Sequence, residues 1–233
     1  MKILGVDTSS NVASVAYIED DLLISEFTLN YKLTHSQTLM PMLDDVCQSC
    51  HLKLEEVDAI AVASGPGSFT GLRIGAATVK GLAYGLNKPI IPVPTLDGLA
   101  YNIHYTEYLI CPIMDARRSQ VYSAIYHWED EQLVRDTDYL NITIDELIEN
   151  LKEKESNIIF VGDGIPVFRD QLKEELEGVF FADAHLNRQR ASTIASLGRR
   201  YYAEGRVENH MDHAPMYIRK SQAEREYEER QRG

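Results

Sequence analysis

Short apolar runs and longer stretches of helical periodicity alternate along this chain, and their order sets out an α/β protein. Residues 2–8, 12–18 and 22–29 are apolar runs rich in β-branched side chains. The polar cluster Asp7-Thr8-Ser9-Ser10 with Asn11 separates the first two, and the acidic turn Glu19-Asp20-Asp21 separates the next pair. Three strands in such close succession predict an antiparallel meander. From His35 to Cys50 the spacing becomes helical, with Leu39, Met42, Leu43, Val46, Cys47 and Cys50 on one face and Thr34 at the N-cap position. A buried strand over 57–63, a helix over 72–86, a strand over 90–93 and a helix over 96–104 complete a βββαβαβα half.

The second half reads as strands at 111–114, 121–127 and 133–139, then a helix over 144–153 opened by a Thr143/Glu146 capping box. Strand 158–161, the turn Gly162-Asp163-Gly164, helix 167–177, strand 179–181 and helix 192–203 follow. This order partly echoes the first half without any visible sequence repeat. Mixed sheets flanked by helices, in two subdomains, are the arrangement expected of an actin-like or ribonuclease H-like α/β fold. The expected division is 1–108 and 109–222, with a charged, aromatic-poor tail at 223–233 that reads as solvated helix or disorder.

The segment from Ser64 to Gly75, SGPGSFTGLRIG, links a buried strand to a long helix. Strand, glycine-rich turn and helix in that order aim backbone N–H groups and a positive dipole end at one point, which suits an anion such as phosphate. Its glycines fit neither the G-x-G-x-x-G fingerprint nor the P-loop, and a tight βα connection using positive φ is the other reading. Along the helix, Gly71, Gly75, Thr78, Gly81 and Gly85 fall within an arc of roughly 120°. Interior helical glycine costs up to about 1 kcal/mol relative to alanine. Such a stripe therefore calls for the close approach of another backbone, from this domain or from another chain.

The charge balance narrows the function. A net charge of −13 over 233 residues argues against a broad nucleic-acid footprint, so contact with RNA is expected to run through a partner. Cys47-Gln48-Ser49-Cys50-His51 matches a haem-attachment pattern, yet both thiols share the apolar helix face. A zinc site would need two more ligands, so core cysteines are expected. No apolar run approaches the ~20 residues of a bilayer span. The first residues start directly as a strand, so a cytoplasmic protein is expected. Asp7 is the obvious carboxylate, but the fourth strand ends Ala63-Ser64-Gly65 with no acid, and Asp44 and Asp45 cannot complete a two-metal nuclease alone. In an actin-like phosphotransferase, the hairpin from Asp7 to Asn11 and a second glycine turn at 162–164 would bracket nucleotide phosphates. Ordinary turns at both places are the alternative. No G-x-S-x-G elbow is present, and no histidine follows a pattern that would pair it with Ser9 or Ser68.

Four segments carry a family resemblance: Ile3-Leu4-Gly5-Val6-Asp7-Thr8-Ser9-Ser10, the stretch from Gly65 to Gly75, Met114-Asp115-Ala116-Arg117-Arg118, and Pro215-Met216-Tyr217-Ile218-Arg219. In order and spacing they resemble the TsaB (YeaZ) family over nearly the whole chain. The resemblance implies the actin-like ATPase fold in two subdomains. It also implies a role in making N6-threonylcarbamoyladenosine beside the anticodon of tRNAs that read codons starting with A. There TsaB is a non-catalytic subunit that pairs with its paralogue TsaD, which carries the metal, and with the ATPase TsaE, while TsaC makes the threonylcarbamoyl donor. TsaD-type enzymes place H-x-x-x-H on the first helix, where this chain has His35-Ser36-Gln37-Thr38-Leu39. One imidazole is not a stable metal site, so neither metal nor other cofactor is expected, and the older glycoprotease label is set aside. A vestigial phosphate pocket is expected from Asp7, Thr8, Ser9, Gly65, Gly67, Ser68, Gly162 and Gly164. The resemblance further implies an interface, with TsaD or with a second copy of the chain when alone, through Leu39, Met42, Leu43, Val46, Gly71, Gly75, Thr78, Gly81, Leu82 and Gly85. Contact with tRNA would come only through the complex. The alternative is an actin-like ATP-dependent kinase or hydrolase active on its own.

Overall fold

Runs of β-branched and small residues with no charge inside them become the central strands of two sheets. The computed structural model describes residues 1–31 and 33–219, and the charged tail expected at 223–233 lies outside the described residues. The first sheet has the order β3-β2-β1-β4-β5, from β1 (Lys2–Asp7), β2 (Ala13–Glu19), β3 (Leu22–Leu29), β4 (Ala59–Gly65) and β5 (Ile90–Pro94). β1 to β3 are antiparallel neighbours, whereas β4 and β5 run parallel to β1. Burial of β1 and β4 on both faces accounts for their continuous apolar sequence. One face is covered by α1 (His35–Ser49) and α2 (Phe69–Leu86), which enclose Leu4, Val6, Val15, Ile60 and Val62.

The second sheet repeats the plan. Its order is β10-β7-β6-β11-β12, with β6 (Leu109–Asp115), β7 (Gln120–Ser123), β10 (Leu140–Thr143), β11 (Ile158–Val161) and β12 (Val179–Phe181). Again the first two neighbours of the central strand are antiparallel and the last two parallel. Helices α4 (Ile144–Lys152) and α5 (Ile165–Glu175) cover one face, and the Thr143/Glu146 capping box is formed in full. Two sheets of the same strand order make this the actin-like fold.

The sequence places one strand over 121–127, and the structure breaks it. β7 ends at Ser123, the buried pair Ala124-Ile125 turns, and β8 (Tyr126–Glu129) pairs instead with β9 (Gln132–Arg135) as a hairpin inserted before β10. Thr137 fixes the crossing by accepting a hydrogen bond from the Ile125 amide at 3.0 Å. The helix placed over 96–104 is the shorter α3 (Thr95–Ala100), because the Asn102 side chain turns to donate to the carbonyls of Leu186 and Arg188, each at 2.9 Å. The last described helix, α6 (Ala191–Ala203), returns to the open face of the first sheet. There Ile194, Ala195 and Leu197 pack on Ile3, Ala61 and Val93. Gly5 and Gly198 allow this approach, since a Cβ on either would collide with Ala191 O or press on the Ala61 side chain.

Candidate cleft between the two sheets

Asp7 stands at the carboxyl end of the central strand β1, where the chain must turn without a neighbouring strand to satisfy its amides. The Ser9 amide and hydroxyl donate to Asp7 Oδ1 at 2.8 and 2.6 Å, closing a buried Asx turn. Thr8 Oγ1 donates to Gly71 O at 2.8 Å, and the Ser68 amide donates to Ser9 O at 2.7 Å. Glycine is required across this seam. A Cβ on Gly67 would collide with Ser9 O, one on Gly71 with Thr8 O, and one on Gly75 with Thr8 Oγ1. Ser68 then caps α2 by accepting from the Gly71 amide at 3.2 Å. Two amides of the glycine turn are therefore satisfied inside the chain.

The matching corner of the second sheet supplies the opposite wall. Gly162, at φ +121°, donates its amide to Asn187 Oδ1 at 2.7 Å, and the Gly164 amide donates to Ile113 O at 3.0 Å. Asp115 accepts from the Arg117 amide at 2.8 Å, and Arg188 donates to Gly162 O at 3.2 Å. Ser9, Gly67 and Ser68 face Asp115, Asp163 and Arg188 across a cavity of about 410 Å³. Burial pushes the Asp7 carboxyl up to about 6, held back in part by its Ser9 hydrogen bonds and raised further by Asp163. Burial likewise pushes Asp163 up to about 6, against the pull of Arg188. Asp163 Oδ1 is buried and has no hydrogen-bond partner among the described residues. Asp163 lines the cavity and Asp7 lies buried behind its Ser9 wall, and two carboxyls shifted up so close together mark the cleft as a candidate functional site.

The four sequence segments that carry the family resemblance meet here. The Met216 amide donates to Ser64 O at 2.7 Å, closing over Gly65, whose φ is +113° and whose Cβ would collide with Met216 O. The Tyr217 ring lies 4.8 Å from Phe69, Arg73 sits 3.9 Å over Phe69, and Arg73 Nε donates to Tyr217 Oη at 3.2 Å. Arg219 donates to Ala116 O. The C-terminal strap thus ties the glycine turn to the β6–β7 corner.

The residues named for an interface separate into two groups. Leu39, Met42, Leu43 and Val46 are buried in the core of this chain, and Gly71 and Gly75 press on its own Thr8 turn. Their smallness and apolarity serve packing within this chain. Gly81 and Gly85 have no atom within 4 Å of a built Cβ among the described residues. Thr78 and Leu82 are half-buried beside them, and Tyr84 is 71% exposed. On α1, His35 Nε2 lies 2.7 Å from Ser10 O, and Cys47 and Cys50 are free thiols packed against the core. Among the described residues, no group of three or more His, Cys, Asp or Glu is placed to hold a metal ion, and no helix is long and apolar enough to cross a membrane.

One hub lay outside the sequence reading. Asp97 of α3 accepts from the hydroxyls of Tyr126 and Tyr139 at 2.8 Å and of Tyr201 at 2.9 Å. Burial and the adjoining carboxylate raise all three phenols, so they stay neutral donors. The hub joins α3 to the inserted hairpin region and to α6. No local pattern announces it, because its four members are spread over more than a hundred positions.

Comparisons place these features among known proteins. The family model for TsaD, tRNA N6-adenosine threonylcarbamoyltransferase, matches residues 23–227. The tRNA threonylcarbamoyladenosine biosynthesis protein TsaB of Bacillus subtilis is 34% identical, with all of both chains covered. The TsaB protein of Escherichia coli is 29% identical over 96% of each chain. Among solved structures, YeaZ from Pseudomonas aeruginosa superposes with a TM-score of 0.78 at 24% identity, over 93% of this chain and 99% of its own. A Pseudomonas aeruginosa protein described as similar to peptidase YeaZ gives 0.81 at 26%, over 94% and 99%.

Proposed function

Because the chain belongs to the TsaB (YeaZ) family, paralogous to TsaD and engaged in tRNA threonylcarbamoyladenosine biosynthesis, we propose that it acts there as a non-catalytic subunit that activates TsaD by binding it. The observation that carries this reading is the fate of the TsaD-type H-x-x-x-H pair. His35 keeps the first position and bonds Ser10 O, while the second is Leu39, 1% exposed within the core. A hydrophobic residue so placed serves packing, and a lone imidazole engaged by a backbone carbonyl offers no metal cage. The docking face in this reading is the outward side of α2, with Thr78, Gly81, Tyr84 and Gly85. Small residues there let a partner helix approach closely. A second copy would use the same face when the chain is alone. TsaE joins the assembly, and tRNA is held by the complex, in keeping with a net charge of −13.

Reconstitution tests the reading. TsaC, TsaD, TsaE, threonine, bicarbonate, ATP and tRNA are combined with and without this chain. Modified adenosine is expected only when the chain is present. Equal formation without it, or transfer by this chain with TsaD omitted, would overturn the proposal.

A second reading, an actin-like ATP-dependent kinase or hydrolase, draws on Asp7 and Asp163 at the same cleft. Titration of the chain alone with ATP and Mg²⁺ separates the two. Turnover abolished by Asp7→Ala would favour the enzyme.

A further inference from the structure

A second cavity, about 510 Å³, opens at the far end of the β1–β2 hairpin from Asp7. The register sets the separation. Asp7 pairs with Ser14 and Lys2 with Glu19, so the two ends of the hairpin lie about 15–20 Å apart. One wall of this cavity is aromatic. Tyr101 and His104, on the turn after α3, meet Trp128 of β8 with ring centroids 4.5 Å apart for Tyr101–His104 and 4.7 Å for His104–Trp128. Trp128 is held in place, its Nε1 donating to Ile103 O at 2.7 Å. Tyr105 extends the platform and is 88% exposed.

The facing wall is polar. α6 brings Ser196, Arg199 and Arg200, and two turns bring Asp20, Asp21 and Glu131. Positive and negative groups are interspersed along this wall. Asp20 pairs with the N-terminal amine, Asp21 pairs with Arg199, and Arg200 donates to the Glu131 carbonyl at 3.2 Å. Partial desolvation and the neighbouring Arg200 lower the His104 pKa, which favours the neutral ring. Arg199, Arg200 and the N-terminal amine balance Asp20, Asp21 and Glu131, so the wall has no strong excess of either sign. What remains is a rigid π surface facing a row of hydrogen-bond donors and acceptors. Base-on-aromatic stacking needs the first, and the polar edge of a heterocycle needs the second. An aliphatic ligand would leave the polar wall unmatched. The volume suits one nucleoside rather than a long strand.

We propose that this cavity is a nucleoside site, in which a base stacks on His104 and Trp128 while its polar edge meets Arg200, Glu131 and Ser196. The base belongs either to a free nucleoside or nucleotide or to an unpaired nucleotide of an RNA. The site is separate from the cleft and does not depend on how the chain pairs with TsaD.

Trp128 is the single tryptophan of the chain, so its fluorescence reports this wall alone. The full chain is titrated with adenosine, adenosine monophosphate and a short single-stranded oligoribonucleotide, with calorimetry alongside. Saturable quenching is expected. His104→Ala is expected to weaken binding by about fivefold or more. Tyr105→Ala, at a fully accessible ring, is expected to weaken it less, and both variants keep the native circular dichroism because both rings are exposed. Comparable affinity for adenosine and for the oligoribonucleotide assigns the site to free nucleosides, while much tighter binding of the oligoribonucleotide assigns it to RNA. Absence of a saturable change with every probe at millimolar concentration overturns the proposal, as does unchanged affinity in folded His104→Ala.

Discussion

Asp7 and Asp97 show how differently two aspartates of one chain can be placed. Asp7 is 1% exposed, and its carboxyl moves from 3.8 to about 6 mainly because burial disfavours the charge. Between about pH 4 and about pH 6 the folded chain holds this proton more tightly than the unfolded chain does. Its contribution to stability is therefore largest at the acid end, falls as pH rises through that window, and is flat above it. Asp7→Asn keeps a carbonyl oxygen for the two Ser9 hydrogen bonds and removes the buried charge. It is expected to raise stability near neutral pH by about 1–3 kcal/mol and to remove this part of the pH slope. Urea unfolding of both proteins at about pH 4 and about pH 7 measures it, and equal midpoints at the higher pH would count against the assignment. Asp97 is instead a structural acceptor for three tyrosines. Asp97→Ala strands their hydroxyls and is expected to cost about 2–4 kcal/mol, while Asp97→Asn, which retains an acceptor, costs less. Thermal melts rank the two. The end-of-strand position of Asp7 made it legible in the sequence. Asp97 was not, because only the folded chain gathers Tyr126, Tyr139 and Tyr201 around it.

Helix α2 carries two different jobs along one small-residue stripe. A helical wheel collapses the axis, so it places Gly71, Gly75, Gly81 and Gly85 together. The helix is about 27 Å long, and the turn at Thr8 reaches only its first two turns. Gly75→Leu drives a side chain into Thr8 and is expected to cost several kcal/mol, on the order of a severe overpacking change. At Gly81 a Cβ meets nothing within 4 Å among the described residues, and Gly81→Leu replaces a poor helix former, so it is expected to raise stability by up to about 1 kcal/mol. In the proposed assembly the same substitution blocks binding to TsaD. Melting temperature together with co-purification distinguishes the pair, and retained TsaD binding by Gly81→Leu would remove this face from consideration. The broken strand at Ala124 gives the same lesson. The run from Val121 to His127 contains no glycine or proline, so nothing local marks the break. The switch follows from tertiary pairing, with β7 going to β10 and β8 to β9.

At the scale of the whole molecule, the two halves share a strand order without a visible sequence repeat, because the order depends on pattern and the repeat on identity. The return of α6 to the first sheet was not legible, since an amphipathic helix does not state which sheet it covers. The glycine turn is fastened from outside by the strap at Met216, Tyr217 and Arg219. Backbone at Gly65 has a conformation that only glycine adopts readily, and the Met216 carbonyl occupies the space a side chain would need. The turn therefore depends on a segment some 150 positions away for its cover. Replacing Tyr217 and Arg219 together by alanine removes the tilted ring contact with Phe69, the Arg73 hydrogen bond and the tie to Ala116. The loss is expected at about 1–3 kcal/mol and to be local, since the sheet cores remain intact. Amide exchange locates it. The amides of Ser68, Gly71 and Leu72 should exchange faster, while those of β6 and β11 should keep their protection. Uniform acceleration across both sheets would instead mean that the strap holds the two halves together, and unchanged exchange at Ser68 would show that the turn stands without it.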